Sequence, residues 1–544
     1  MEGGRKVEIL DIKDLSFTYP LAVSPALHGI SLTVQEGEFI VLCGATGSGK
    51  STLLRMLKPQ LTPLGELSGE VRIHGKPAAE CHASDIGFIM QSPEHQIVTD
   101  KVWHELAFGL ESMGVPQQRM TRRIAEMAGY FGIEDKFDKN ISELSGGQKQ
   151  LISLASVMVT EPELLILDEP TAQLDPIAAS GLINTVRKLN RDLSLTVIIA
   201  EHRLEEVIPV CDKLLVIGDG AVLAFGTPRE VLGQLYRHTD IMCGMPAAAR
   251  ISALLGEKNC ALSIREGREL VRSFGNVKTL PEPQSGSRSA EKVMQFKDIF
   301  FRYERSAPDV LRGLSFEVNK GEIYCILGGN GSGKTTALGT AAGILRPYAG
   351  SIRVFGKKLG EYRNQSLYRE CLALLPQDVQ TVFLRNTVRE ELDDAGADVN
   401  TLPFDLTPHL DKHPYDLSGG EAQLLALAKV LALKPKILLL DEPTKGLDAA
   451  SKQRITTLLR KLSDGGMTIV TVTHDVEFAA ECADRCAMFF RGEIVSEAPP
   501  REFFAENSFY TTAASRITRG HFRNAVTVGD AAELCRLNGK AVTK

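Results

Sequence analysis

The chain has 544 residues, more than the roughly 250–300 residues at which a single hydrophobic core stops growing, so at least two domains are expected. Its composition, 43% hydrophobic and 24% charged residues, is that of an ordinary globular protein. The net charge of −6 argues against a nucleic-acid-binding protein with a broad basic surface.

The chain carries no recognisable leader peptide or membrane span. Its first residues, MEGGRKVEIL, lack the apolar stretch of a signal peptide, and no apolar run approaches the roughly 18–20 residues that cross a bilayer. The ten cysteines are scattered without a CxxC pair, which favours reduced thiols in a cytosolic protein. Because no apolar run is long enough to cross a bilayer, any transport function would need separate membrane subunits.

Three motifs occur twice along the chain, and their spacing is repeated. Tyr19 precedes Lys50 by 31 positions, and Tyr303 precedes Lys334 by the same number. The repeated motifs are GATGSGKST (44–52) with GGNGSGKTT (328–336), LSGGQ (144–148) with LSGGE (417–421), and LLILDEPT (164–171) with ILLLDEPT (437–444). Each half is therefore predicted to be a copy of one domain, over residues 7–245 and 293–510.

The first motif of each copy predicts a phosphate-binding loop. An apolar strand, FIVLC, leads into a glycine-rich turn and then a helix that begins near Lys50, which is the context that GxxxxGK[ST] requires. Glycines let backbone N–H groups turn inward around phosphate oxygens, the lysine adds a point charge, and the following hydroxyl reaches Mg²⁺. The predicted nucleotide-binding residues are Gly44, Ala45, Thr46, Gly47, Ser48, Gly49, Lys50, Ser51 and Thr52, and in the second copy Gly328, Gly329, Asn330, Gly331, Ser332, Gly333, Lys334, Thr335 and Thr336.

Two acids follow an apolar strand in each copy, Asp168–Glu169 after LLIL and Asp441–Glu442 after ILLL. A strand that ends in acids delivers them to the phosphate edge of a parallel sheet. The aspartate is predicted to hold Mg²⁺ together with Ser51 or Thr335. The glutamate is predicted to accept a proton from attacking water.

LSGGQ followed by LDEPT at this spacing resembles the ATP-binding-cassette (ABC) superfamily. The resemblance implies an α/β fold with two tandem P-loop NTPase domains, each a mostly parallel sheet core with an antiparallel β-subdomain and a helical subdomain. It implies an ATPase that uses ATP and Mg²⁺, has no covalent cofactor and binds no nucleic acid. The two cassettes of one chain are expected to pair with each other.

The resemblance also assigns roles to further residues. Tyr19 and Tyr303 match the aromatic residue that stacks on adenine, and Gln91 and Gln377 match the loop glutamine that touches Mg²⁺. His202 and His474 match the switch histidine, a catalytic residue that contacts the γ-phosphate. The signature residues that cap ATP on the other cassette, and the aspartates that link the two sites, are Ser145, Gly146, Gly147, Ser418, Gly419, Gly420, Asp175 and Asp448.

The segment Gln91–Val115 resembles the ATPases of energy-coupling factor (ECF) importers, which take up vitamins and transition metals. In that group, a short polar helix after the loop glutamine grips a transmembrane T component, and a small membrane S component selects the substrate. The matching residues are Pro93, Glu94, Gln96, Val98 and Thr99. The resemblance places the chain at the cytoplasmic face of the cell membrane as a peripheral subunit.

The second copy is shorter between the loop glutamine and the signature. Gln91 lies 54 positions before Ser145, whereas Gln377 lies 41 positions before Ser418. A trimmed helical subdomain and a less symmetric grip on the partner are therefore expected in the second copy, with all catalytic groups kept in both. Residues 246–292 are predicted to form an appendage and a Pro/Ser/Gly-rich linker, and residues 511–544 a C-terminal tail.

Two alternative functions remain. One is the tandem ATPase of another importer of the sugar type, although that group lacks the segment after Gln91 in this form. The other is a soluble tandem-cassette ATPase that acts in translation. Ribosome-bound members carry a long, charged, helical linker and iron–sulfur members an N-terminal cysteine cluster, and this sequence has neither.

Overall fold

The computed structural model describes residues 7–20, 22, 24–281, 290–363, 365–508 and 510–540. The chain divides into two compact units. The first comprises the residues up to Ala249 together with Lys258–Ser263, and the second comprises Arg250–Glu257 together with the residues from Ile264 onward. In the described ranges, no helix has both the length and the apolar composition that a membrane crossing needs.

The first unit contains two sheets built from ten strands. A four-stranded antiparallel sheet has the order β2-β1-β4-β5, and a six-stranded sheet has the order β10-β9-β3-β8-β7-β6, parallel except for β10. The strands are β1 Glu8–Thr18, β2 Leu27–Gln35, β3 Phe39–Cys43, β4 Glu66–Ile73, β5 Lys76–Pro77, β6 Ile86–Ile89, β7 Leu164–Asp168, β8 Thr196–Ala200, β9 Lys213–Gly218 and β10 Ala221–Gly226.

Three central strands of the larger sheet, β3, β7 and β8, are buried at every residue. Continuous apolar runs of this kind are typical of parallel strands that are covered on both faces. Because the strands are parallel, their carboxyl ends meet at one edge of the sheet, where the phosphate loop, the paired acids and the segment of His202 begin.

The helices of the first half include a bundle of three, α2 to α4, that pack on one another between the loop glutamine and β7. The helices are α1 Lys50–Met56, α2 Val102–Ser112, α3 Gln117–Phe131, α4 Gly146–Met158, α5 Pro176–Leu193, α6 Leu204–Val207, α7 Pro228–Leu235 and α8 Thr239–Met242. Two more follow: α9, Ala247–Leu254, lies across the boundary of the units, and α10, Ile264–Arg272, belongs to the second unit.

The second unit repeats both sheets, with the orders β12-β11-β14-β15 and β16-β17-β18-β13-β19-β20. Its strands are β11 Lys292–Phe301, β12 Leu311–Asn319, β13 Ile323–Leu327, β14 Ala349–Val354, β15 Lys357–Lys358, β16 Leu372–Leu375, β17 Ile437–Asp441, β18 Thr468–Thr473, β19 Arg485–Phe490 and β20 Glu493–Ala498. Its remaining helices are α11 Lys334–Ala341, α12 Val388–Ala395, α13 Gly419–Ala432, α14 Ala449–Asp464, α15 Val476–Cys482, α16 Pro500–Glu506, α17 Ala513–Thr518 and α18 Val528–Asn538. The predicted fold class, two tandem P-loop domains with parallel sheet cores, is confirmed.

The shortening of the second copy is confined to one part of the helical region. The buried glutamates Glu105 and Glu391 each lie 14 positions after the loop glutamine, so this stretch has equal length in both copies. The missing residues correspond to α3, for which the second unit has only short 3₁₀ turns between α12 and α13. The helical subdomain is therefore trimmed as expected, but the segment directly after the glutamine is not.

The predicted appendage and tail pack together in the second unit. Helix α10 contacts α17, and Arg268 Nε donates a hydrogen bond of 2.8 Å to the carbonyl oxygen of Arg516. Asn538 Oδ1 accepts the backbone N–H of Lys278 at 2.7 Å, and its amide donates to the Lys278 carbonyl at 3.0 Å. Compact packing thus divides the chain differently from the predicted boundaries at 245, 292 and 510. Residues 282–289 of the predicted linker and 541–544 of the predicted tail lie outside the described residues.

We expect Leu534→Ala to lower the free energy of unfolding of the second unit by about 2–5 kcal/mol, because its side chain is 1% exposed and truncation leaves a cavity. The matched control is Leu537→Ala on the same helix, where 38% exposure predicts a change within roughly 0.5 kcal/mol. Urea denaturation followed by circular dichroism measures both. Equal midpoints for the two variants would show that α18 is not part of the cooperative fold.

Candidate active site

The phosphate loop of the first unit follows β3 and is shaped by its glycines. Gly44, Gly47 and Gly49 have φ values of 156°, 81° and 95°, and the last two lie in the left-handed region that favours glycine. A methyl group at Gly49 would meet the carbonyl oxygen of Ala26 at 2.7 Å. Lys50 Nζ donates to the carbonyl oxygens of Gly44 and Ala45 at 3.0 and 2.9 Å. Its charge is thus held in the curve of the loop.

The second unit repeats this loop after β13. Lys334 Nζ donates to the carbonyl oxygens of Gly328 and Gly329 at 2.9 and 3.0 Å. Gly331 and Gly333 have φ values of 73° and 105°. The two lysines therefore hold equivalent positions at the start of α1 and α11.

Each loop contains a buried serine hydroxyl that lacks a partner among the described residues, on Ser48 and Ser332. An unsatisfied buried hydroxyl is costly unless a ligand supplies the missing partner. A phosphate oxygen in the loop is such a partner. The predicted phosphate contacts therefore fit the geometry of both loops.

The strand-end aspartates lie against the hydroxyl that follows each lysine. Ser51 Oγ donates to Asp168 Oδ1 at 2.9 Å, and Thr335 Oγ1 donates to Asp441 Oδ1 at 3.3 Å. Burial raises the pKa of Asp168 and raises that of Asp441 to about 6. A hydroxyl and a carboxylate oxygen placed together in this way suit Mg²⁺, a hard cation that prefers oxygen ligands.

The glutamates that follow, Glu169 and Glu442, adopt left-handed backbone conformations with φ values of 47° and 49°. Non-glycine residues rarely adopt this conformation, and such strain concentrates at functional sites. In the first unit, Glu169 Oε1 lies 2.7 Å from His202 Nε2, and Glu169 Oε2 accepts the amide N–H of Gln91 at 3.0 Å. Three predicted site residues thus meet at one carboxylate.

The second unit brings the same residue types together with different contacts. Glu442 Oε2 lies 2.9 Å from His474 Nδ1 and also accepts the backbone N–H of His474 at 3.2 Å, while Glu442 Oε1 lies 3.6 Å from Lys334 Nζ. Burial alone would raise the pKa of Glu442, but the hydrogen bond and charge of His474 and the charge of Lys334 hold it below its usual range. Gln377 lines the same cleft.

The predicted adenine-stacking tyrosines occupy equivalent positions beside the two loops. Tyr19 shares a 3.0 Å hydrogen bond with Thr52 Oγ1, and Tyr303 shares one of the same length with Thr336 Oγ1. Each ring also packs edge-on against a phenylalanine two residues earlier. These contacts fix both rings, and Tyr303 remains largely exposed, as a stacking surface requires.

The signature serines cap helices in both copies. Ser145 Oγ accepts the N–H of Gln148 and the Gln148 side chain accepts the N–H of Ser145, a capping box that leaves Gly146 and Gly147 in the first turn of α4. Ser418 and Glu421 form the same box before α13, with Gly419 and Gly420 in its first turn. Exchange of Gln for Glu in the second signature therefore keeps the cap and adds a charge.

The loop aspartates Asp175 and Asp448 are also helix caps. Asp175 accepts the N–H of Ala178 at 2.8 Å, and Asp448 accepts the N–H of Ser451 at 2.7 Å. These bonds fix the loop that follows the paired acids in each unit.

Glu201 is a buried acid of the first site to which the sequence assigned no role. Its carboxylate accepts the N–H of Thr171 at 3.1 Å and the N–H of His202 at 3.2 Å, so it ties the turn after Glu169 to the histidine segment. Burial raises its pKa to about 7, although the hydrogen bonds from Thr171 oppose this. The second copy has Thr473 at this position, and there Glu442 itself binds the N–H of His474. Alignment of the two copies shows the exchange, but only the structure shows its burial.

We expect Glu201→Gln to change the pH dependence of stability. The pKa of this acid rises from 4.5 in the unfolded chain to about 7 in the folded chain. The native chain is therefore most stable below pH 4.5 and loses free energy of unfolding as the pH rises to about 7, because the folded state holds the proton more tightly. The variant should therefore gain about 3 kcal/mol relative to the native chain across this window. Thermal unfolding at several pH values measures the difference. The control is Glu206→Gln, an exposed acid nearby; parallel curves for Glu201→Gln and the native chain would contradict the shift.

Comparison with known proteins gives similarity along nearly the whole chain. A family model described as ABC transporter matches residues 27–172 and 311–445. A protein of Bacillus thuringiensis subsp. konkukian, described as an ABC transporter ATP-binding protein, is 37% identical over 540 residues, which cover 96% of this chain and 98% of the relative. A Streptomyces avermitilis protein of the same description is 35% identical over 552 residues, covering 94% of this chain and 97% of its own.

Two solved structures are also similar. An archaeal ribosome recycling factor, aABCE1, crystallised with the ribosomal stalk protein aP1, aligns over 90% of this chain and 91% of its own with a TM-score of 0.59 and 21% identity, which reflects the shared fold. The cbiO1 protein of Clostridium perfringens, described as part of the ABC transporter complex cbiONQ, is 31% identical and covers 43% of this chain and 95% of its own, with a TM-score of 0.39. Given the two family matches and the full-length relatives, the chain belongs to the ABC transporter family and is a tandem-cassette ATPase of a transporter.

Proposed function

We propose that the chain is the energy-coupling ATPase of an ECF-type importer, and that it works at the cytoplasmic face of the membrane with separate transmembrane T and substrate-binding S components. The observation that carries this proposal is an exposed apolar residue on a rigid loop directly after the loop glutamine, in both units. Such a residue is available to a partner, and in the first unit the loop glutamine seven positions before it donates a hydrogen bond to Glu169.

In the first unit, this loop has an exposed side and a fixed side. Val98 is 66% exposed, and Glu94 is exposed and paired with Lys149 at 3.1 Å. Gln96 faces inward, since its amide oxygen accepts the N–H of Met90 at 3.0 Å and its amide nitrogen donates to the Phe88 carbonyl at 3.1 Å. Gln96 therefore supports the loop, whereas Glu94 and Val98 are exposed to a partner.

The fixed side is held by Glu105. Its Oε2 accepts the N–H groups of Val98 and Thr99 at 3.1 and 3.0 Å and the Thr99 hydroxyl at 3.0 Å. Pro93 is buried at the start of the loop, in the turn Pro93–His95. A buried carboxylate with several N–H partners fixes the backbone and presents Val98 to solvent.

The second unit has the same arrangement. Glu391 Oε1 accepts the N–H groups of Leu384 and Arg385, and Leu384 is 77% exposed. Leu384 follows Gln377 by seven positions, as Val98 follows Gln91. Two equivalent contact points on one chain suit a membrane partner with two coupling helices, and the second point is as well supported as the first.

The geometry supports the following catalytic roles. Lys50 and Lys334 hold positive charge at the phosphates, the buried serines complete the loops, and Glu169 and Glu442 accept the proton of attacking water. Mg²⁺, when bound by Ser51 with Asp168 or by Thr335 with Asp441, neutralises phosphate charge. In the first unit, the hydrogen bond of Gln91 to Glu169 links the loop that carries Glu94 and Val98 to the base, since Gln91 lies only three residues before Glu94.

We expect Glu169→Gln and Glu442→Gln, made separately, each to remove at least half of the steady-state ATPase rate, because each removes the base of one site. The double variant should lose roughly 10²-fold or more of the rate, the scale of general-base catalysis. Phosphate release measures the rate, and retained ATP binding is the control. A single variant with full activity would show that its site does not hydrolyse ATP.

We expect Val98→Asp and Leu384→Asp each to weaken co-purification with the membrane subunits, and the pair to abolish it, because a charge replaces the apolar contact. ATP binding should stay within about twofold, since neither residue lines a phosphate loop. Leu64→Asp, an exposed leucine elsewhere in the first unit, is the matched control.

Pull-down of the native chain from membranes, with identification of the bound proteins, tests the class of transporter. A transmembrane subunit together with a small membrane substrate-binding protein supports the proposal. A sugar-type permease or ribosomes in their place would contradict it. Unchanged assembly of the Val98→Asp and Leu384→Asp pair would show that the partner binds elsewhere.

A further inference from the structure

The loops that follow the catalytic glutamates differ by one charge. The first copy reads Thr171-Ala172-Gln173-Leu174-Asp175, and the second reads Thr444-Lys445-Gly446-Leu447-Asp448. Lys445 therefore occupies the position of Ala172. Its backbone N–H donates to the carbonyl oxygen of Glu442 at 3.1 Å, which fixes it in the turn directly after the base.

The side chain of Lys445 faces the second nucleotide cleft. It lines a cavity of about 490 Å³ together with Lys334, Thr335, Gln377, Glu442 and His474. Among the described residues, no carboxylate oxygen lies within 4.0 Å of Lys445 Nζ. The cleft thus contains a half-buried lysine that forms no ion pair with a carboxylate of the described residues.

The position of Lys445 along the cleft indicates which part of a nucleotide it would meet. Tyr303 marks the adenine end, and the P-loop amides surround the inner phosphates. Gln377, Glu442 and His474 lie where the terminal phosphate and the attacking water belong. Lys445 lines the same cavity and its backbone is bound to the carbonyl oxygen of Glu442, which places it at the end of the cleft where Glu442 lies.

The two clefts consequently differ in electrostatics. The first has Lys50 facing Asp168 and Glu169, with the buried Glu201 behind them. The second has Lys334 and Lys445 beside Glu442, the neutral Thr473 in place of Glu201, and Asp475, paired with Lys452, in place of Arg203. The acids are thus equal in number, and the difference that a nucleotide would meet is the added charge of Lys445, whose attraction for a ligand grows with the charge of the ligand.

We propose that Lys445 is a specificity-determining residue that contacts the terminal phosphate and makes the second cleft prefer ATP over ADP more strongly than the first cleft, which has Ala172 at this position. The proposal rests on the assignment of both clefts as nucleotide sites under the proposed function. Lysine is a common phosphate ligand in proteins, acting as a point charge.

The test uses the full chain with Lys50→Ala, which silences the first cleft, and measures the Kd of Mg-ATP and Mg-ADP by titration calorimetry. Lys445→Ala in this background should weaken ATP binding about tenfold and ADP binding less than about twofold, because only ATP carries the terminal phosphate. Lys445→Arg should restore the preference for ATP. Lys461→Ala, an exposed lysine of α14, is the matched control and should change neither affinity.

The reciprocal variant adds the charge to the first cleft. With the second cleft silenced by Lys334→Ala, Ala172→Lys should tighten ATP binding several-fold more than ADP binding, because the new ammonium group extends from the equivalent turn. An unchanged ratio of the two affinities would overturn the assignment of the preference to this position.

Two further outcomes are decisive. Equal weakening of ATP and ADP by Lys445→Ala, or no weakening of either, would overturn the role of Lys445 while the nucleotide site itself stands. If Lys334→Ala added to Lys50→Ala leaves ATP binding intact, the assignment of the clefts fails, and the proposal for Lys445 fails with it. The Lys334→Ala arm therefore separates the two failures.

Discussion

The hydrogen bond between a loop hydroxyl and a strand-end aspartate fixes the geometry of each site. The bond is between Ser51 and Asp168 in the first unit and between Thr335 and Asp441 in the second. It joins the first turn of a helix to the last residue of a strand, and that strand lies two positions along the sheet from the strand that precedes the helix. The bond can form only if β3 and β7, or β13 and β17, end at the same edge, and this follows from their parallel order. The buried parallel strands therefore place the phosphate loop, the strand-end aspartate and the glutamate that follows it within reach of one another.

Much of this could be predicted from the sequence, because each feature is local. A strand, a glycine-rich turn and a helix in succession specify the loop around Lys50, and an apolar run ending in two acids specifies Asp168 and Glu169. Glu201 and Lys445 could not be predicted in this way, since their importance lies in burial and direction, which depend on residues far away in the chain. The inward direction of Gln96, fixed by β6, was missed for the same reason.

The structure also changes which features of the two units are expected to be alike. The sequence suggested equal chemistry in the two sites and an unequal grip on a partner. The loops of Val98 and Leu384 instead have the same length and the same support from a buried glutamate. The differences lie beside Glu169 and Glu442, the proposed catalytic bases, where Glu201 occurs in one unit and Lys445 in the other. A single gene that encodes both cassettes allows such differences to persist, because each site occurs only once per molecule.

The packing of the segment around α10 against α17 and α18 has a consequence for biosynthesis. Residues 264–278 leave the ribosome well before residues 511–540, which complete their fold. At typical rates of synthesis, the interval is on the order of 10–50 s. During that time the apolar side of α10, including the eventually buried Val271, has no final partner, although the cassette before it is already complete. Chaperone binding to the nascent chain is therefore expected to concentrate at this junction, and a stop codon near residue 510 would leave it permanently uncovered.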